Sequence, residues 1–261
     1  NKPTDFTYSG LEEISVSSYC GSATTLWVPA YIGDCPVTAI SVSAFFNCSF
    51  VTKVVVPDTV TEIGEGAFRG LNVLEEITLP FIGETADASR EEGVFGHVFG
   101  YTTTNSSGTT HQYNNYYNYY YYIPQSIRKV TITNTKRIPS YAFKNCNFIE
   151  EITIPGTVTA IGSEAFYNCA GLKRLNSETD GLFCIPAGVT EINDYTFYMC
   201  SGTTEIELGT NVTSVGKYAF YSCKQIGKFN SDVTGELIVP DGVTSIGDYA
   251  FANMELITKV V

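Results

Sequence analysis

The chain has 261 residues, 44% of them hydrophobic, and a formal net charge of −12, so it is long and apolar enough to bury a core and is not of disordered composition. The acidic balance, with no basic stripe to offset it, argues against nucleic acid or an anionic membrane surface as partner, and no run of eighteen apolar residues is present to span a bilayer. Eighteen tyrosines and sixteen phenylalanines stand against one tryptophan and two histidines, a balance that favours strands and polar aromatic surfaces over histidine-dependent acid-base chemistry.

Asn1 opens no charged-then-apolar leader, so a signal peptide removed ahead of this numbering is expected. Residues 1–25 precede the first regular unit and read as an N-terminal capping segment. Beyond them the chain repeats itself. Val60-Thr61-x-Ile63-Gly64-x-x-Ala67-Phe68 is matched position for position by Val158-Thr159-x-Ile161-Gly162-x-x-Ala165-Phe166, by Val212-Thr213-x-Val215-Gly216-x-x-Ala219-Phe220 and by Val243-Thr244-x-Ile246-Gly247-x-x-Ala250-Phe251. Looser copies end at Phe45, Phe143 and Phe197, and Phe99 marks an eighth. The phenylalanine spacings of 23, 31, 44, 23, 31, 23 and 31 describe a 23-residue unit with insertions of 8, 21, 8 and 8.

After each phenylalanine the pattern runs on as Phe143, Cys146, Ile149, Ile152, Ile154 and Pro155. The Ile-x-Ile alternation predicts a short strand with both apolar side chains inward, and proline then removes a backbone donor and ends it. The Ala-Phe-x-x-Cys stretch is too short for an independent helix and reads as one helical or 3₁₀ turn at a corner. Gly64, Gly162, Gly216 and Gly247 share a site held elsewhere by Ser41, Pro139 and Asn193, which suggests a turn with little room for a side chain. One such unit cannot bury its apolar face, whereas stacked units can. The fold class expected is a mainly β α/β repeat solenoid, a leucine-rich-repeat stack of short parallel strands in about eight coils over residues 1–261, with a phenylalanine spine.

These residues resemble the BspA-like, or type 5, leucine-rich repeats. The motif Ile-Pro-x-x-Val-Thr-x-Ile-Gly-x-x-Ala-Phe-x-x-Cys-x-x-Leu-x-x-Ile is matched over residues 26–80 and 123–261. The opening Phe6-Thr7-Tyr8 and the segment Gly33-Asp34-Cys35-Pro36-Val37-Thr38-Ala39-Ile40 are similar to the family's first coil. The resemblance implies a bacterial or protist protein, extracellular or at the cell surface, used in adhesion or recognition, and it implies no catalytic motif. Residues 81–122 depart from it.

Eight cysteines in an exported chain invite a disulfide framework. Cys48, Cys146, Cys169, Cys200 and Cys223, however, each stand three residues after the repeat phenylalanine, in a slot that holds Leu71 and Met254 in other coils. A slot that accepts leucine and methionine is a packing site, so a ladder of buried thiols is expected there. Cys20, Cys35 and Cys184 lie outside the slot, and whether they form disulfides stays open. No Cys-x-x-Cys pair or histidine partner suggests a metal site, and no cofactor is expected. Gly64-x-Gly66-x-x-x-Gly70 has the outline of a dinucleotide loop, but other copies of the repeat lack the second glycine. His97 and His111 have no nucleophile motif. Glu75-Glu76 and Glu150-Glu151 recur at one repeat position, as a solvated strand edge would, rather than as a glycosidase pair. No catalytic residue is assigned, and the chain reads as no enzyme.

The residue before the second strand slot is Lys53, Glu76, Lys129, Glu151, Arg174, Glu205, Lys228 and Lys259 in turn. Its sign alternates until the last pair, as in a ladder of cross-strand neighbours that helps set register. Asn47-Cys48-Ser49, Asn105-Ser106-Ser107 and Asn211-Val212-Thr213 match the glycosylation pattern, which carries meaning only outside bacteria. Residues 100–122 form a tyrosine-rich insertion, a polar stretch followed by Tyr113, Tyr116, Tyr117, Tyr119 and Tyr120, then Tyr121 and Tyr122. Tyrosine gives a stiff amphipathic contact at low entropic cost, so the first five are the candidate ligand-binding residues; packing against the solenoid flank is the other reading. The last coil supplies Phe251, Met254, Ile257 and Val260 and would expose a strand edge, so end-to-end association or a further coil is expected there. The function expected is recognition of a host protein or glycan, and the alternative is a purely structural spacer.

Overall fold

The computed structural model describes residues 2–46, 48–88, 93–102, 109–114 and 119–261, with backbone alone at 102, 109–111, 113, 114 and 119. It divides into two compact units, Asn1–Asn134 and Thr135–Val261.

In the first unit Phe6–Ser9 pairs antiparallel with Ile14–Tyr19, which lies parallel to Cys35–Ile40. Thr25–Trp27, Lys53–Val55, Glu76–Leu79 and Lys129–Ile132 then pair in parallel, one strand per coil. Leu26, Val54, Ile77 and Val130 point inward and are buried, as the two-residue alternation predicts. Phe99 is the rung after Phe68, at 6.5 Å between ring centroids. Here the corner is a 3₁₀ helix, Phe95–Phe99, and the amide of Phe68 donates to the carbonyl of Val98. The insertion that follows adds an antiparallel sheet of Tyr101–Thr102, Thr109–Asn114 and Tyr119–Pro124.

In the second unit the long sheet has seven parallel strands: Glu151–Thr153, Arg174–Leu175, Leu182–Cys184, Glu205–Glu207, Lys228–Phe229, Glu236–Leu237 and Lys259–Val260. Two of these, Leu182–Cys184 and Glu236–Leu237, are made by the eight-residue insertions. Parallel neighbours ordinarily need a crossover of about a dozen residues, but strands this short let the chain return through residues 176–181 and 230–235. Both loops turn on an asparagine in the left-handed region, Asn176 at φ 53 and Asn230 at φ 50. Each amide side chain bridges two strands. Asn176 accepts from the Ile154 amide at 2.7 Å and donates to the Cys184 carbonyl at 3.3 Å, and Asn230 repeats this with Leu208 at 2.7 Å and Ile238 at 3.2 Å.

These two strands correct the charge ladder read from the sequence. Glu236 pairs in register with both Lys228 and Lys259, so the lysines that would have been like-charged neighbours are separated by a carboxylate, 2.7 Å from Lys259. Leu182 stands between Arg174 and Glu205. Elsewhere the alternation holds, with Lys53 to Glu76 at 2.6 Å, Arg174 to Glu151 at 2.6 Å and Lys228 to Glu205 at 3.7 Å.

A second sheet in this unit has five strands, Arg137–Ile138, Ala160–Ile161, Glu191–Ile192, Ser214–Val215 and Ser245–Ile246. At roughly 4.8 Å per rung, seven strands span about 29 Å and five about 19 Å. The two sheets of the unit are thus of unequal length.

The corner between the sheets is not the helical turn that its length suggests. In the coil of Phe143, the amides of Ala142, Lys144 and Cys146 donate three residues back, to Pro139, Tyr141 and Phe143, while those of Tyr141, Phe143 and Asn145 donate across to Ser163, Ala165 and Tyr167 of the next coil. The alternation follows from left-handed residues two before and two after each phenylalanine: Tyr141 and Asn145, Tyr195 and Met199, Tyr218 and Ser222, Tyr249 and Asn253. Gly66 and Gly70 fill the same two positions around Phe68, at φ 65 and 86. The dinucleotide-like glycine spacing is thus the backbone requirement of a corner. A Cβ on Gly162 would lie 2.4 Å from the Ser140 amide, which explains the glycine in this coil. The phenylalanines form the expected spine, with centroid spacings of 5.2 to 5.7 Å from Phe143 through Phe166, Phe197 and Phe220 to Phe251.

Candidate recognition surface

Each left-handed corner turns side chains outward at two positions, the residue two before the phenylalanine and the one after it. In the second unit these positions are rich in tyrosine. Tyr195, Tyr218 and Tyr249 form one column, with neighbours 5.1 and 5.0 Å apart and planes within 13°. Tyr167, Tyr198 and Tyr221 form another, at 4.6 and 5.1 Å and within 9°. Across the columns Tyr218 and Tyr221 meet edge to face at 5.2 Å and 68°, while Tyr195 and Tyr198 are tilted by 50° at 5.8 Å.

The coil pitch sets this arrangement. Rings about 5 Å apart along a column cannot touch flat, since carbon contact lies near 3.5 to 4 Å, so they slide into offset stacks. Ring spacing falls from 5.2 to 5.7 Å in the buried spine to 4.6 to 5.1 Å in the outward columns. The outward rings are thus packed at least as closely as the buried ones. Among the described residues no protein group is hydrogen-bonded to these six hydroxyls.

Charges border the columns. Lys144 lies 4.8 Å over the Tyr167 ring and 5.2 Å over Tyr141 and is ion-paired with Glu164, and Lys217 lies 5.3 Å over Tyr218. Beside the first column an open cleft of about 500 Å³ is lined by Glu191, Asp194, Lys217 and Asp248, among others. Burial pushes the Tyr167 hydroxyl up from its ordinary range, with Tyr198 beside it adding to the shift, so it remains a donor at neutral pH.

The tyrosines singled out from the sequence lie in the first unit. Tyr116 and Tyr117 fall outside the described residues, as do the side chains of Tyr113 and Tyr119. Tyr120 is exposed. Its neighbour Tyr121 is buried, with its ring 6.0 Å from that of His97, and the Tyr122 hydroxyl donates to Asn72 at 3.2 Å. The described part of the insertion therefore holds Tyr101 and Tyr120 out, Tyr121 in and Tyr122 between the two. The six corner tyrosines were missed because they sit at positions written as variable in the repeat, Tyr195, Tyr218 and Tyr249 two before the phenylalanine and Tyr167, Tyr198 and Tyr221 directly after it. Aligning the copies on phenylalanine would have shown them.

The slot cysteines pack as expected. Cys146, Cys169, Cys200 and Cys223 are buried thiols, and the thiols of Cys169, Cys200 and Cys223 donate to the carbonyls of Phe143, Phe166 and Phe197 in the preceding coil at 3.0 to 3.1 Å. Burial pushes Cys223 up to about 12 and Cys200 well above its ordinary value, which removes thiolate reactivity. Cys20, Cys35 and Cys184 are thiols too.

The description of a BspA-type leucine-rich repeat region, in six copies, matches residues 36–90 and 114–257. Among curated proteins none matches the chain. Similar solved structures include a Treponema pallidum leucine-rich repeat protein, 20% identical with a TM-score of 0.49, covering 87% of this chain and 90% of that one. Another is a leucine-rich repeat protein of Bacteroides ovatus, 21% identical with a TM-score of 0.47, covering 98% of this chain and 69% of that one. No helix among the described residues is long and apolar enough to cross a membrane. With the repeat model spanning well over half of its length and the rungs, spine and thiol ladder in register with it, the chain belongs to the BspA-type leucine-rich repeat family.

Proposed function

We propose that this chain is a non-catalytic recognition module displayed outside the cell, binding a protein or glycan. The observation that carries the reading is the double column of outward corner tyrosines. Repeat proteins bind through extended surfaces built up from stacked coils, and tyrosine supplies contact area with little rotamer entropy to lose. Family membership supports the same reading. The test is a panel of immobilised extracellular proteins and glycans probed with the intact chain and with Tyr198→Ala/Tyr218→Ala. Binding to some member that the double variant loses is the expected result. A panel blank for the intact chain would leave the structural spacer as the better reading.

The same reading includes end-to-end association. Ile246, Leu256, Val260 and Val261 are about half exposed or more, and Ser245–Ile246 and Lys259–Val260 are the outermost strands of their sheets. Such an edge templates further pairing. Concentration-dependent self-association in sedimentation, reduced by Val260→Lys, is expected; a monomer at every concentration would remove this part of the proposal.

A further inference from the structure

We infer that the tyrosine columns and the acidic cleft beside them form a docking surface for an arginine-rich segment of a protein partner. This deepens the recognition reading above and rests on it. Tyr195, Tyr218 and Tyr249 directly follow Asp194, Lys217 and Asp248 in the chain, so the column and the cleft share a border. The Asp194 carboxylate accepts from the Lys217 amide at 2.7 Å. Among the described residues, Glu191 and Asp248 pair with no cation, and all three acids are exposed.

Three features select the ligand's chemistry. The first is that ring faces within each column are largely occupied by neighbouring rings, at 4 to 13° between planes. What remains outward are ring edges, offset strips and phenol oxygens. A pyranose ring needs an open aromatic face for stacking, whereas a guanidinium needs acceptors and part of a face. The second is that the array already takes cations from its own chain, since Lys144 and Lys217 sit over Tyr167 and Tyr218 at 4.8 and 5.3 Å. The third is charge. Carboxylates and phenol oxygens accept the five N–H donors of arginine, whose planar group stacks on aromatic rings where an ammonium cannot, and a net charge of −12 draws a basic segment in. Tyr249, stacked on Tyr218 and 61% exposed, offers the most accessible ring.

The test uses the full chain and three labelled peptides in which glycine alternates with arginine, lysine or glutamate, read by fluorescence anisotropy. The arginine peptide is expected to bind saturably, the lysine peptide several-fold more weakly, and the glutamate peptide not at all. Tyr218→Ala/Tyr249→Ala should weaken the arginine peptide about tenfold, and Tyr218→Phe/Tyr249→Phe less. Glu191→Gln/Asp248→Asn should weaken it at low salt and make little difference at high salt; these isosteric changes keep the test sound if the alanine pair unfolds. Arginine and lysine peptides bound equally would overturn the proposal, as would full affinity in both the alanine and the amide variants. Saturable binding of cellohexaose or chitohexaose, lost in the tyrosine variants, with no binding of the arginine peptide, would overturn it while leaving the recognition reading in place. A chain that binds neither these probes nor any member of the protein and glycan panel would lose both.

Discussion

Asn176 and Asn230 give the sharpest test of how the eight-residue insertions work. Asn176→Ala removes an acceptor from the Ile154 amide at 2.7 Å and a donor to the Cys184 carbonyl at 3.3 Å, at a site held in the left-handed region. Two hydrogen bonds at roughly 1 kcal/mol each, with a further ~1 kcal/mol for alanine in that conformation, put the expected loss at about 3 kcal/mol. Asn176→Gly keeps the backbone freedom and loses only the bonds, so about 2 kcal/mol is expected, and Asn176→Asp, which keeps the acceptor, about 1 kcal/mol. Urea denaturation followed by circular dichroism measures all three, and amide exchange at Ile154 should accelerate in the alanine and glycine variants only. Asn230 makes the same two bonds, to Leu208 and Ile238, and serves as an internal replicate. Equal stabilities for alanine and glycine variants would refute the backbone part of this account, and a loss below about 0.5 kcal/mol in both would refute the bridging part.

Other outcomes follow from the same structure. Phe166→Ala, deleting a fully buried rung between Phe143 and Phe197, should cost about 3 to 5 kcal/mol by urea titration. Arg174→Ala should cost more than Lys53→Ala, because Arg174 pairs with a Glu151 carboxylate only 11% exposed while the Lys53 to Glu76 pair is over 40% exposed on both sides. For the exposed pair, a change within about 1 kcal/mol that vanishes at high salt is expected. The thiol ladder predicts an alkaline limit on stability. The folded Cys223 thiol is raised to about 12 by burial, above the unfolded value of about 8.5, so its contribution is intact below pH 8.5 and is lost as pH rises towards the folded value. Urea midpoints should fall between pH 8 and 9.5, less steeply in Cys223→Val, and an identical slope in that variant would count against the assignment.

The sequence by itself determined the coil. A 23-residue period with one phenylalanine, two alternating strand residues and a small residue before the corner admits one way of hiding its apolar positions, which is stacking. Leu71 and Met254 in the cysteine slot likewise marked that slot as packing, because chemistry that tolerates such replacements is hydrophobic. Three things were decided only in the tertiary structure. The eight-residue insertions look like loops in sequence, yet Leu182–Cys184 and Glu236–Leu237 pair as full rungs. Strand pairing of two or three residues depends on what lies alongside, and it leaves no periodic signal. The helical or 3₁₀ corner expected from the sequence holds at Phe95–Phe99 but not in the second unit, because short apolar spacing cannot distinguish a 3₁₀ turn from alternating left-handed turns. That choice is made by amides finding carbonyls in the next coil, as Phe143 finds Ala165. The tyrosine columns were the least legible. Their members are 23 or 31 residues apart in sequence, and they become a surface only because the stacking of coils brings their rings to about 5 Å.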